Sequence, residues 1–248
     1  MRRITTFLAA LAAFANVPAA AQTYVYEEVV EEWVDPVAQR FVSPELAQAE
    51  NQAIAAYGPF RVLDARRAAL VGVTDAGSPA RFARMMADFP GITTLTFIDC
   101  PGTYDDTANL RLGRMIRAAG LAVEVPAGGS VRSGGVELVL AGTSLTIADG
   151  AEFAVHAWLD DLGLSATDYA ASAPENARYL AYYRDMGMTG EDAVRFYAMT
   201  NSAPFEDALW LDGQQMRGWV RAAATPVPGI ADRDAPRLAY LDLPHALN

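Results

Sequence analysis

The sequence predicts an α/β fold built on a mostly parallel sheet. Across the middle of its 248 residues, short buried-strand runs alternate with amphipathic helical segments, the pattern that right-handed crossovers produce. With 52% hydrophobic residues and one cysteine, the chain has apolar surface for a good-sized core and no internal disulfide to replace it.

The elements follow in order. Residues 23–35 alternate valine, tyrosine and glutamate and read as an exposed or edge strand, or an arm. Ser43-Pro44-Glu45 opens a helix with a serine cap, a proline in the first turn and an acid near the positive end of the dipole; Gly58-Pro59 should end it. Residues 68–73 read as a buried strand, Ser78-Pro79 caps a helix reaching Phe89, and Pro90-Gly91 breaks it before a strand over 93–98. A helix over 109–119, stopped by Gly120, leads to a strand over 121–125. After the loop 126–132, residues 134–141 read as a buried helix and 153–156 as a buried strand. From Pro174 to Met199 the pattern is helical, and its tyrosines at 179, 182, 183 and 197 are explained as packing by helix periodicity.

The ends of the chain carry their own signals. Met1-Arg2-Arg3, an apolar stretch to Val17 and small residues to Ala21 form the three parts of a secretory signal, with cleavage expected after Ala21. The protein is therefore expected to be exported, periplasmic or secreted, and soluble, because no later segment offers the roughly 20 apolar residues of a membrane anchor. The division is then a signal peptide (1–21), an arm and helix (22–60), the main domain (61–222) and a proline-rich extended tail (223–248). Removal of Arg2 and Arg3 takes the formal net charge from −11 to −13. Such an acidic surface repels nucleic acid and anionic head groups.

Chemistry points to one serine and one histidine. Ser133 lies in Gly129-Ser130-Val131-Arg132-Ser133-Gly134-Gly135, at a strand–loop–helix junction, and His156 ends the apolar run from Ala151. The chain has two histidines and no lysine, so a Ser–Lys dyad is excluded and His156 is the best-placed base for a serine nucleophile. Acyl transfer also needs N–H groups aimed at the developing oxyanion. Gly134 follows the serine without a side chain to obstruct its N–H, and the turn Cys100-Pro101-Gly102-Thr103 ends a neighbouring strand on the same sheet edge, where ligands bind.

These segments resemble the ClpP/crotonase superfamily, in particular its Clp-type serine peptidases and the exported proteins similar to them. Phe97 to Thr103 resembles the strand end carrying Ser-Pro-Gly-Gly, Gly129 to Ser133 with Gly142 resembles the Gly-x-x-x-Ser segment and its closing Ala-Gly, and Ala154-Val155-His156 resembles the strand ending in the histidine. Glu206 to Leu211 resembles the segment where the family's acid precedes a helix. The resemblance spans about residues 67–219. It implies a single domain of repeated β-β-α units with a helical C-terminal part, and a peptidase-like hydrolase acting through an acyl-enzyme on peptide or other acyl bonds. Ser133 would be the nucleophile, His156 the base and Asp207 the orienting acid, with Glu206, Asp212 and Asn201 as competitors. Thr103 and Gly134 would supply the oxyanion N–H groups, although Thr103 stands where the family has a second, freer glycine. Relatives of this fold form rings, so the resemblance implies a homo-oligomer.

Other readings are weighed beside this one. A serine at a helix start is ordinarily a cap, and a histidine on an apolar strand is ordinarily a core residue. A non-catalytic binding or assembly protein on the same fold accommodates Thr103, the ambiguous acid and Arg132 beside the serine. An α/β-hydrolase esterase with His245 as base is weaker, because Val131 occupies the first glycine of a Gly-x-Ser-x-Gly elbow. Crotonase chemistry on coenzyme A thioesters suits an exported protein poorly. Cys100, before a proline turn on a buried strand, reads as structural. Asp105-Asp106 and Asp160-Asp161 lack a calcium-loop pattern, no zinc spacing or dinucleotide fingerprint occurs, and a P-loop would need a lysine, so no metal or cofactor is implied.

Overall fold

The computed structural model describes Gln48 and residues 51–220. The expected signal peptide, the 23–35 strand, most of the first helix, the tail and His245 lie outside the described residues. The described residues form nine strands and six α-helices. In chain order these are β1 (Ala55–Tyr57), β2 (Phe60–Val62), β3 (Arg67–Val71), α1 (Ser78–Asp88), β4 (Thr94–Cys100) and α2 (Asp106–Ala118). Then come β5 (Ala122–Val125), β6 (Ser130–Arg132), α3 (Gly135–Val139), β7 (Ser144–Ile147) and β8 (Glu152–Val155). A short 3₁₀ turn (Ala166–Asp168) precedes α4 (Pro174–Asp185), α5 (Gly190–Thr200), β9 (Leu209–Asp212) and α6 (Gly213–Val220).

The sheet is mixed but mostly parallel, as the alternation of elements predicts. Its main path runs β1-β2-β3-β4-β6-β8-β9, antiparallel only at the two ends, β1-β2-β3 and β8-β9. The sheet forks at β4. The first half of that strand pairs with β5 (Thr94 with Ala122), and β5 in turn pairs with β7. Its C-terminal end pairs with β6, Asp99 with Ser130 and Cys100 with Val131, and β6 pairs with β8. A strand shared by both branches must be apolar on both faces, and Leu95, Phe97, Ile98 and Cys100 are all buried. The β5-β6-α3 and β7-β8 segments follow the expected β-β-α repeat.

Three local expectations are corrected. The first helix does not extend to Gly58, because residues 55–57 pair with Phe60–Val62 as a hairpin turned at Gly58, which takes a positive φ of 61°. The helical region 174–199 is two helices. Gly187 (φ 103°) ends the first, and the Thr189 hydroxyl caps the second by accepting from the Asp192 N–H at 3.1 Å. Residues 209–212, expected only as the run-up to a helix, add to the sheet edge beside β8.

Beneath the end of β6 lies a buried ion pair. The Arg132 side chain is completely buried; one guanidinium nitrogen donates to Asp99 Oδ1 on β4 at 3.0 Å and another to Ser130 Oγ at 2.5 Å. The attraction between two dehydrated charges is largely offset by the cost of taking them out of water, but removing one partner strands the other charge. Arg132→Met is therefore expected to lower the unfolding free energy by about 3–5 kcal/mol, and Arg132→Met/Asp99→Asn to recover part of that loss. Urea denaturation followed by circular dichroism checks both, and a double variant no more stable than the single one would contradict this account.

Candidate active site

Ser133 is held in an uncommon backbone conformation. Its φ is 47°, making it the only non-glycine with positive φ among the described residues. A side-chain-bearing residue pays of order 1–3 kcal/mol for such a conformation and keeps it only where its surroundings fix it. Here the Ser133 N–H donates to the Ala154 carbonyl of β8 at 2.8 Å, extending the β6–β8 ladder, while the Ser133 carbonyl accepts from the Val136 N–H at 3.0 Å and starts α3. Strand and helix pull on consecutive peptides, and the residue between them turns left-handed.

The turn after β4 closes against this serine. Gly102 has φ 134°, and a Cβ placed on it would lie 2.9 Å from Ser133 Cβ. The positive φ thus falls on glycine, and Thr103 is spared it. A Cβ on Gly134 would lie 2.6 Å from Thr103 Cγ2, so Thr103 and Gly134 are neighbours, as their assigned shared task requires. Among the described residues neither the Thr103 N–H nor the Gly134 N–H takes part in a hydrogen bond. Asn109, buried on α2, fixes both sides of this corner: its amide nitrogen donates to the Gly134 carbonyl at 2.6 Å, and its oxygen accepts from Thr74 Oγ1 at 2.9 Å. Thr74 is bridged to Thr103.

His156 follows β8 and lines the same small pocket as Ser133 and Gly134. No hydrogen bond joins the serine to the imidazole among the described residues. The ring instead contacts the Ala157 carbonyl through Nδ1 at 2.9 Å. A carbonyl can only accept, so this contact selects the tautomer with hydrogen on Nδ1 and leaves the Nε2 lone pair free. The half-exposed Phe205 ring meets the imidazole edge-on at 5.0 Å between centroids.

Asp207 is not brought to this site. It is exposed, its carboxylate accepts from the Ala208 N–H at 2.7 Å, and it does not line the pocket. Glu206 and Asp212 are exposed too, and Asp212 caps α6 by accepting from the Gln215 N–H. Asn201 does line the pocket, with a buried side-chain oxygen that has no partner. Cys100 is fully buried and burial pushes its thiol up to about 12, which makes it inert.

Two other acids line the pocket, one of them, Asp106, weighed above only as a metal ligand and the other, Glu137, not singled out by sequence. Glu137 is on α3 and Asp106 on α2, and the pocket walls are aromatic, from Trp158, Tyr179, Tyr183 and Tyr197. Glu137 is 7% exposed and accepts from the Tyr183 hydroxyl at 2.8 Å. Its signal was legible as the one charge inside the apolar run Gly135-Val136-Glu137-Leu138-Val139, a placement that burial makes costly. The tyrosines do pack as expected, stacking as Trp158–Tyr179 and Tyr179–Tyr197, yet the same rings also face the pocket. Among the described residues no group of three or more His, Cys, Asp or Glu side chains could hold a metal ion, and no helix is long and apolar enough to cross a membrane.

The chain resembles several solved structures. One is a variant of the 1510-N membrane-bound stomatin-specific protease in complex with a substrate peptide, at 17% identity and a TM-score of 0.39, covering 62% of this chain and 74% of that one. A second variant of that protease matches at 17% identity and 0.42, over 64% and 77%. The 1510-N membrane protease specific for a stomatin homolog from Pyrococcus horikoshii matches at 15% and 0.39, over 64% and 69%. No protein-family model matches the chain, and no curated protein does.

The Glu137 carboxyl gives a pH-dependent stability. Burial raises it from 4.5 to about 7, against the Tyr183 hydrogen bond, while Asp106 nearby adds to the rise. A carboxyl raised on folding binds more protons in the folded state, so its contribution is complete below about 4.5 and is lost as pH climbs through about 7. Glu137→Gln keeps an oxygen for Tyr183 and removes the ionisation. Its thermal midpoint relative to wild type is expected to rise between pH 5 and pH 8, by the equivalent of roughly 3 kcal/mol at most; a difference independent of pH would refute the assignment.

Proposed function

We propose that the protein is an exported serine hydrolase of ClpP/crotonase type that cleaves peptide or related acyl bonds through an acyl-enzyme. The observation that carries this reading is the meeting of a left-handed Ser133, His156 and two unengaged N–H groups, on Thr103 and Gly134, at one sheet edge. In this mechanism the Ser133 oxygen attacks the substrate carbonyl carbon while its proton passes to His156 Nε2. The carbonyl oxygen becomes negative and accepts from the Thr103 and Gly134 N–H groups. The bond to the leaving nitrogen or oxygen then breaks, the leaving group takes the proton from the imidazolium, and Ser133 stays acylated. Water repeats the sequence in reverse roles: it gives a proton to Nε2, its oxygen joins the acyl carbon, and the proton returns to Ser133 as the acid departs.

The Ala157 carbonyl replaces an orienting acid in this account. It holds the Nδ1 hydrogen and aligns the ring, but as a neutral acceptor it stabilises the imidazolium less than a carboxylate would. The pair acts as a dyad. Export, expected from the N-terminal signal pattern, and ring assembly, which the resemblance implies, complete the proposal: a periplasmic or secreted homo-oligomer, without cofactor, metal or nucleic-acid partner.

Fluorophosphonate labelling tests the mechanism. Wild-type protein is expected to be labelled, Ser133→Ala to be unlabelled, and His156→Ala to label at least 100-fold more slowly. Equal labelling of wild type and Ser133→Ala would refute the nucleophile. Asp207→Asn is expected to label within threefold of wild type, and a loss of tenfold or more would restore the acid to the mechanism.

A further inference from the structure

The pocket reached from Ser133 has a chemical character that the hydrolase reading does not use. Its lining brings Ser133, Gly134 and His156 together with Glu137, Asp106 and the aromatic side chains. Asp106 already has neighbours: the Tyr179 hydroxyl donates to it at 2.6 Å, and an Arg178 nitrogen stands 3.7 Å away. Glu137 is nearly enclosed and faces no cation in an ion pair among the described residues; the Tyr183 hydroxyl and its own backbone N–H donate to its carboxyl. An enclosed carboxyl without a counter-ion at the side of a pocket is costly where it stands and becomes favourable when a cation enters.

The aromatic wall favours the same occupant. The Arg178 guanidinium lies over the Trp158 ring at 5.7 Å and over the Tyr179 ring at 5.0 Å, so rings of this wall already hold a cation. The space is small, about 40 Å³, room for a few water-sized groups.

Resting on the hydrolase reading above, we propose that this pocket binds the ammonium group of a lysine side chain, on the residue whose carbonyl Ser133 attacks, with Glu137 as its counter-ion. The side chain leaves the substrate backbone one bond from the attacked carbon, and Ser133 itself lines the pocket. Glu137 is then a substrate-binding residue, and the aromatic rings shield the pair from water. The burial that raises the Glu137 carboxyl to about 7 is the penalty that an entering ammonium relieves. The chain contains no lysine and so offers no such bond to its own copies.

The test compares hydrolysis of two Nα-blocked thioesters by the full chain at pH 8, one of lysine and one of norleucine, which has nearly the same shape without charge. Wild type is expected to show kcat/KM at least tenfold higher for lysine. Glu137→Gln is expected to bring that ratio to within threefold of one. As a measurement on wild type alone, n-butylammonium should inhibit norleucine ester hydrolysis competitively, at a concentration at least tenfold below that of 1-pentanol. Turnover that Ser133→Ala abolishes, with no lysine preference and no advantage of the amine, overturns the lysine pocket and leaves the hydrolase standing. A lysine preference that survives in folded Glu137→Gln overturns the role of Glu137. No Ser133-dependent turnover of either ester, with no fluorophosphonate labelling, overturns the hydrolase and this inference with it.

Discussion

The arrangement of this site depends on the parallel register of three strand ends. Asp99–Cys100 of β4 pairs with Ser130–Val131 of β6, and Val131–Arg132 pairs with Phe153–Ala154 of β8. Parallel neighbours in that register finish together, so the turn at Gly102, the corner at Ser133 and the imidazole of His156 emerge side by side although 54 residues of chain separate the first from the last. The hydrogen bond from the Ser133 N–H to Ala154 carries the register one residue beyond the strand. A slip of one residue would turn every side chain of β6 to the other face, sending Arg132 towards the site and Ser133 away from it.

Much of this was legible in the chain, for identifiable reasons. The helix start at Ser78-Pro79 and the stop at Gly120 are local signals and survive folding, although Gly77, not Ser78, takes the cap position. The strand expected over 93–98 forms as β4, one residue later at its start and two residues longer at its end. The short pieces were not legible. Residues 130–132 and 209–212 become strands because an existing sheet edge recruits them, and three or four residues carry too little periodicity to announce that. The fork at β4 is equally invisible, since it arises from two neighbours sharing one strand.

The site divides along the same line. Ser133, Gly134 and His156 lie at ends of elements, where motif spacing is informative, and they converge on one pocket. Asp207 was assigned from a resemblance in a loop, whose path the spacing of strands does not determine, and it turns to its neighbour's N–H. The Ala157 carbonyl could not have been chosen from sequence, because every residue has one. Glu137 carries no motif of its own, since the helix after the serine is otherwise apolar and reads as packing, although a lone acid in that run is the less ordinary feature.

The Arg132–Asp99 pair has a consequence for how such a chain can diverge. Its members sit on different strands, 33 residues apart in sequence, so exchanging either one alone removes the ion-pair partner of a buried charge. Substitution at the two positions is therefore coupled: a chain that loses the charge at 132 regains stability when the one at 99 is neutralised as well.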